Sequence, residues 1–214
     1  MTSPAAAPTK TVAVFGVETA LGSGVALALA CTGRYRLRVY LCNRTSPTNP
    51  VVKTSTSTSN NNEEVASAGA RLQELRGEFG TVVEFVEGTG SSGVEVDRAG
   101  IENTLKGASL VYLQTSTDFG DLVYAKTKEV AFGKAVAEAC RSAHAEHLLF
   151  QTQLSPQRVI GLSARHMDAK FEIEEHIRRL NLSATFVIVP NFYDTLLDKF
   201  IPTKIGPNLF KIRT

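Results

Sequence analysis

The feature that most constrains this chain lies near its start, where a strand-like run, a glycine turn, a helix-like run and a second strand-like run succeed one another. Thr11 to Phe15 (TVAVF) is β-branched and aromatic and ends at Gly16. Leu21 to Cys31 is rich in Ala and Leu and closes at Gly33, and Leu37 to Cys42 (LRVYLC) has strand character again. Two strands joined through a helical crossover pair in parallel, because the crossover returns the chain to the end of the sheet from which it started. A β-α-β unit of this kind commits the rest of the chain to a sheet that needs helices over both faces.

The remainder keeps to that rhythm. Helix is expected over Glu63 to Arg76, strand over Thr81 to Val86, a glycine-rich connection over Gly88 to Gly93, helix over Val96 to Lys106 and strand over Ser109 to Thr115. A long helix runs next from Val123 to Ala143, with Val123, Thr127, Val130, Ala131, Lys134, Ala135, Ala137 and Glu138 on one broad face. Then come strand His147 to Thr152, helix Arg165 to Leu180, strand Ala184 to Val189 and an amphipathic piece, Phe192 to Phe200. The order predicts an α/β fold: a doubly wound, mostly parallel Rossmann sheet with helices on both faces. One domain over residues 11–200 is expected, between a flexible N-terminus (1–10) and a short C-terminal tail (201–214). Residues 45–62 (TSPTNPVVKTSTSTSNNN) hold too little apolar surface to offset the entropy of ordering them and read as a disordered insertion.

Composition removes several alternatives. With 43% hydrophobic residues in 214, the chain can bury a sizeable core. Its 23 basic and 21 acidic side chains are interspersed, giving a net charge of +2 and no basic stripe that would suit nucleic acid. No run approaches the roughly 20 apolar residues of a membrane span, so a cytoplasmic protein is expected. Cys31, Cys42 and Cys140 are an odd set at wide spacing and read as reduced core thiols. His144, His147 and His176 have no carboxylate or cysteine at ligand spacing on one face, so no metal is expected.

The turn after the first strand carries the chemistry. At the corresponding place in a dinucleotide-binding sheet, glycines let main-chain amides approach a pyrophosphate while the next helix directs its positive end at it. Gly16, Gly22 and Gly24 provide the glycines here, with Thr19 where the pattern G-x-x-G-x-x-G would have its second. Gly16, Thr19, Ala20, Leu21 and Gly22 are therefore cofactor-binding candidates. At the end of the second strand a carboxylate would accept ribose hydroxyls and an arginine would pair with a 2′-phosphate. Cys42-Asn43-Arg44 offers the arginine, so Asn43 and Arg44 join the set and NADP(H) is expected over NAD(H).

Four blocks, VFGVETALGSG at 14–24, ENTLKGASLVYLQTS at 102–116, VAEACRSAHAEHLLFQT at 136–152 and RHMDAKFEIEEHIRRLNLSATFVIVPNFYDTLL at 165–197, resemble the NmrA-like family of atypical short-chain dehydrogenase relatives. The resemblance runs from about Thr11 to Lys204. It implies that Lys170 lies near the nicotinamide ribose, and that Gln114, Thr115 and Ser116, and Pro190, Asn191 and Phe192, line the cofactor cleft. Thr89 falls where such proteins place an aspartate for the adenine edge, and His166 where conventional short-chain reductases carry their proton-donating tyrosine. The resemblance implies that family members continue beyond the match to VPNFYDTLLDKFIP with a further substrate- or partner-binding segment, so either a truncated form or a missing ligand lid is expected.

Three functions stay open. The resemblance implies an NADP(H)-binding redox sensor or regulator, with a protein partner and a homodimer as possible assemblies. An NAD(P)H-dependent reductase of the quinone or isoflavone-reductase-like sort would use Lys170 and His166 as catalytic candidates. A cofactor-free Rossmann interaction module is the third.

Overall fold

The computed structural model describes residues 10–42, 72–88, 96–117, 123–190, 203–207 and 209–211. The insertion at 45–62, Asn43, Arg44, Thr89, Asn191, Phe192 and the amphipathic piece ending at Phe200 lie outside the described residues. In chain order the elements are β1 (Lys10–Phe15), α1 (Ala20–Cys31), β2 (Tyr35–Cys42), β3 (Val83–Gly88), α2 (Arg98–Leu105), β4 (Leu110–Leu113), α3 (Ala125–Ser142), β5 (His147–Thr152), α4 (Pro156–Ile160), α5 (Arg165–Arg179), β6 (Ala184–Ile188), β7 (Thr203–Gly206) and β8 (Leu209–Lys211). Residues 72–78 are helical as well.

β1 to β6 form one sheet in the order β3-β2-β1-β4-β5-β6, and every neighbouring pair is parallel. This is the doubly wound Rossmann arrangement expected from the sequence. The strand order reverses between β1 and β4, and the carboxyl ends of strands at such a reversal are where sheets of this kind bind ligands.

Alternation along the strands divides the interior in two. Val12 and Val14 of β1, Leu37 and Val39 of β2, and Tyr112 of β4 pack with Ala26 and Ala30 of α1 and with Leu75. Ala13 and Phe15, Val111 and Leu113, and Leu148 and Phe150 point the other way, onto Ile101 and Leu105 of α2 and onto α3 and α5. The inner strands β1 and β5 are largely buried on both sides, which is why TVAVF and HLLF carry almost no polar residues, whereas the edge strands β3 and β6 are partly exposed.

Several expectations need correction. The buried face of α3 consists of Glu129, Val130, Gly133, Ala135, Val136, Ala137 and Cys140, so only Val130, Ala135 and Ala137 of the face expected from the sequence are inside. The helix is turned by its contact with α5: a Cβ at Gly133 would lie 2.5 Å from Ile173 Cδ1, so the two helices meet at this glycine. The region expected as a plain tail contains the antiparallel pair β7–β8. The Ser-Pro-initiated helix α4 was not expected at all.

The thiols also differ from the expectation, because Cys31 and Cys42 are exposed and only Cys140 is buried. Burial pushes the Cys140 thiol up to about 12. Since the thiolate is the reactive form, iodoacetamide at about pH 8 is expected to label Cys31 and Cys42 in the native protein. Mass mapping should find Cys140 modified only after unfolding; labelling of native Cys140 would contradict this burial.

Candidate functional site

β1 delivers the chain to Gly16, whose φ of +89° lies in the left-handed region. A Cβ at this position would be 2.2 Å from the carbonyl oxygen of Gln114, the residue that follows β4. The ends of β1 and β4 therefore close on each other at the switch point more tightly than any side chain allows. Thr19 completes the turn. Its hydroxyl donates to the Gly16 carbonyl at 2.9 Å and accepts the Gly22 amide at 3.0 Å, capping α1. A Cβ at Gly22 would come within 2.0 Å of the Gly16 carbonyl oxygen, so α1 rests directly on the turn.

Gly24 is different: nothing lies within 4 Å of where its Cβ would be. It is an ordinary helix residue, and its assignment to the phosphate turn is not supported by any close approach. Gly24→Ala is expected to raise stability by about 0.5–1 kcal/mol through helix propensity alone, visible as a higher urea midpoint at unchanged slope. A destabilised variant would mean that the position needs a bare backbone.

The first turn of α1 holds no acidic side chain, so the helix does not neutralise its own positive end there. A diphosphate suits such a place: glycine main chain at a helix start, beside the topological switch point of the sheet. Ala20 and Leu21 form the beginning of that helix.

On the other side of the crevice Gln114 and Thr115 are buried and Ser116 is exposed. The Tyr112 hydroxyl donates to Gln114 Oε1 at 3.2 Å, and burial pushes this phenol up to about 12, so it stays a donor at neutral pH. Lys170, on α5, is 6% exposed. Its ammonium donates to the Thr115 carbonyl at 2.5 Å, the Thr115 hydroxyl at 3.0 Å and Glu129 Oε1 at 3.0 Å. Glu129 also accepts the hydroxyls of Thr115 at 2.7 Å and Thr117 at 2.5 Å. An ammonium has three protons to donate, and these contacts take all of them. The network ties α3 and α5 to the segment leaving β4.

His166 sits in the first turn of α5, four residues ahead of Lys170. Pro190 is exposed and follows β6, at the sheet edge, with β4 and β5 between it and β1. The structure thus brings Gly16, Thr19, Gly22 and Gln114 into one cluster and joins Thr115 to Lys170.

Two residues were missed from the sequence. Glu129 shares the spacing of Gly133, Val136 and Cys140 along α3, so an acid on a buried stripe was the available signal. Glu18 gave none, because only the folded chain shows that its Oε1 accepts the amide of Cys42, the last residue of β2, at 2.9 Å.

Comparisons with known proteins agree with this architecture. A model of the NmrA-like family matches residues 8–208. An NmrA-like family domain-containing protein of Dictyostelium discoideum is 31% identical over 111 residues, which are 49% of this chain and 35% of that protein. Among solved structures, a Citrobacter sp. triphenylmethane reductase complexed with NADP(H) superposes with a TM-score of 0.56 at 13% identity, covering 89% of this chain and 53% of the reductase. The Bordetella bronchiseptica enzyme WbmH in complex with NAD+ gives 0.55 at 14% identity, over 85% of this chain and 56% of that one. At such identities the likeness is one of fold. The chain spans about half the length of these solved structures.

Proposed function

The chain belongs to the NmrA-like family, and from that premise we propose that it binds a nicotinamide dinucleotide across the β1–β4 crevice and acts as a redox-reporting regulator. One observation carries the reading. Gly16 against the Gln114 carbonyl, and Gly22 against the Gly16 carbonyl, bring main chain onto main chain at the start of α1, where a diphosphate would need main-chain approach. Solved proteins of the same fold hold NADP(H) or NAD+ in complex, which is in keeping with this assignment.

The bound dinucleotide would supply a nicotinamide able to carry hydride. The chain's own residues are better arranged for holding than for turnover. Lys170, which the family resemblance puts near the nicotinamide ribose, has its ammonium spent on Glu129 and Thr115. The resemblance puts His166, in the first turn of α5, where conventional short-chain reductases carry their tyrosine acid. Occupancy would transmit a signal through the segment after β4, since Gln114 borders the glycine turn and Thr115 is bonded to α3 and α5. Such a device reports redox state only if the oxidised and reduced cofactors bind with different affinity, because a ligand shifts only equilibria whose states it distinguishes.

Calorimetric titration with oxidised and reduced dinucleotide, paired with an absorbance assay of NADPH and NADH oxidation against a quinone panel, tests the proposal. Saturable binding with unequal affinities and no turnover is the expected result. Quinone-dependent oxidation that disappears in Lys170→Ala while binding persists would replace the regulator by a reductase. No binding of any dinucleotide would leave an interaction module.

A further inference from the structure

The carboxylate of Glu18 lies where the adenosine half of a dinucleotide would be read. Glu18 is two residues past Gly16 and one before the α1 cap Thr19, and it is half-buried. Its Oε1 accepts the Cys42 amide at 2.9 Å, which ties the glycine turn to the carboxyl end of β2. In a Rossmann sheet that end is where the adenosine ribose is recognised, usually by an acid carried on the strand itself. β2 ends here in Cys42 and offers no acid, whereas the turn beside it does.

We infer that Glu18 takes over that recognition and selects a dinucleotide with a free ribose 2′,3′-diol over one bearing a 2′-phosphate. The inference rests on the dinucleotide reading of the β1–β4 crevice. An ionised carboxylate accepts hydrogen bonds at about four lone-pair sites, and the Cys42 amide occupies one. Ribose hydroxyls can donate to the others. A phosphate monoester, with a charge of about −1.5 to −2 at neutral pH, has only acceptors to present and meets a like charge. The preference runs opposite to the one expected from Arg44.

Calorimetric titration of the full chain with NADH and with NADPH, repeated on Glu18→Gln, is the test. Glutamine keeps an oxygen for the Cys42 amide, removes the charge and replaces the second acceptor oxygen by an N–H donor, and a thermal melt on the same samples reports the fold. The parent is expected to favour NADH by about tenfold or more, and Glu18→Gln to lower that ratio about tenfold, equivalent to about 1.4 kcal/mol. A parent that prefers NADPH, or a ratio unmoved by Glu18→Gln, would overturn the role of Glu18 while leaving the dinucleotide site standing. Absence of binding by both nucleotides would overturn the site and this inference together.

Discussion

Glu129→Gln is expected to destabilise the protein by about 3–5 kcal/mol, the range for breaking a buried ion pair from one side. The Glu129 and Lys170 side chains are 1% and 8% exposed, so neither charge has water to fall back on. The carboxylate gives Oε1 to the Thr115 hydroxyl and Oε2 to the Thr117 hydroxyl, whereas the amide has a single acceptor oxygen and could not neutralise the ammonium, which would remain in the interior beside the Thr115 carbonyl. Removing both charges is a different matter. A Glu129→Leu/Lys170→Met pair is expected to recover most of the loss, because two buried charges cost desolvation that an apolar pair avoids. Urea unfolding of the two single variants and the double variant measures this directly. Singles within about 1 kcal/mol of the parent would place the pair in solvent contact and dissolve the link from α3 and α5 to the segment after β4.

Gly16→Ala is expected to cost about 2–5 kcal/mol and to weaken dinucleotide binding by more than about a hundredfold. A left-handed conformation costs a non-glycine residue about 1–2 kcal/mol, and forced overpacking costs about 1–3 kcal/mol more. Here the added methyl meets a main-chain carbonyl at 2.2 Å, so relief requires that β1 and β4 part. Parting them moves the turn on which the phosphates would rest. Gly24→Ala, in the same segment but facing open space, is the internal control and should retain both stability and binding. Equal affinity in the parent and Gly16→Ala would separate the turn from the ligand.

The order of the elements was legible because it rests on local pattern. TVAVF, Gly16, the Ala/Leu helix and LRVYLC needed no tertiary information, and β5 has the ends read from HLLFQT. Boundaries set by partners were less so. The strand expected over Thr81 to Val86 is β3, Val83–Gly88, because the amides of Val82 and Val83 close onto the Phe79 carbonyl and β2 then pairs with it out to Cys42–Gly88. β4 stops at Leu113, two residues short of expectation, and the carbonyl of Thr115 beyond it goes to Lys170. The start of α4 was written in Ser155-Pro156, whose hydroxyl accepts the Arg158 amide, but a helix of five residues shows no periodicity.

Of the site, the glycine turn and the residues after β4 could be read from the chain, and the reason Gly16 and Gly22 matter could not. Both are required by main-chain oxygens that folding brings against them, which no spacing reveals. Glu18 and Glu129 act across 24 and 41 residues, toward Cys42 and Lys170. In sequence Glu18 looks like one more surface acid, and only its place on the stripe of Gly133, Val136 and Cys140 sets Glu129 apart.

The central claim is that the glycine turn between β1 and α1 seats a diphosphate. A crystal structure grown in saturating nicotinamide dinucleotide tests it most directly. The two phosphates are expected against the main chain between Gly16 and Gly22, with the nicotinamide directed toward Gln114. A dinucleotide bound elsewhere, or a turn with no phosphate beside it, would contradict that claim.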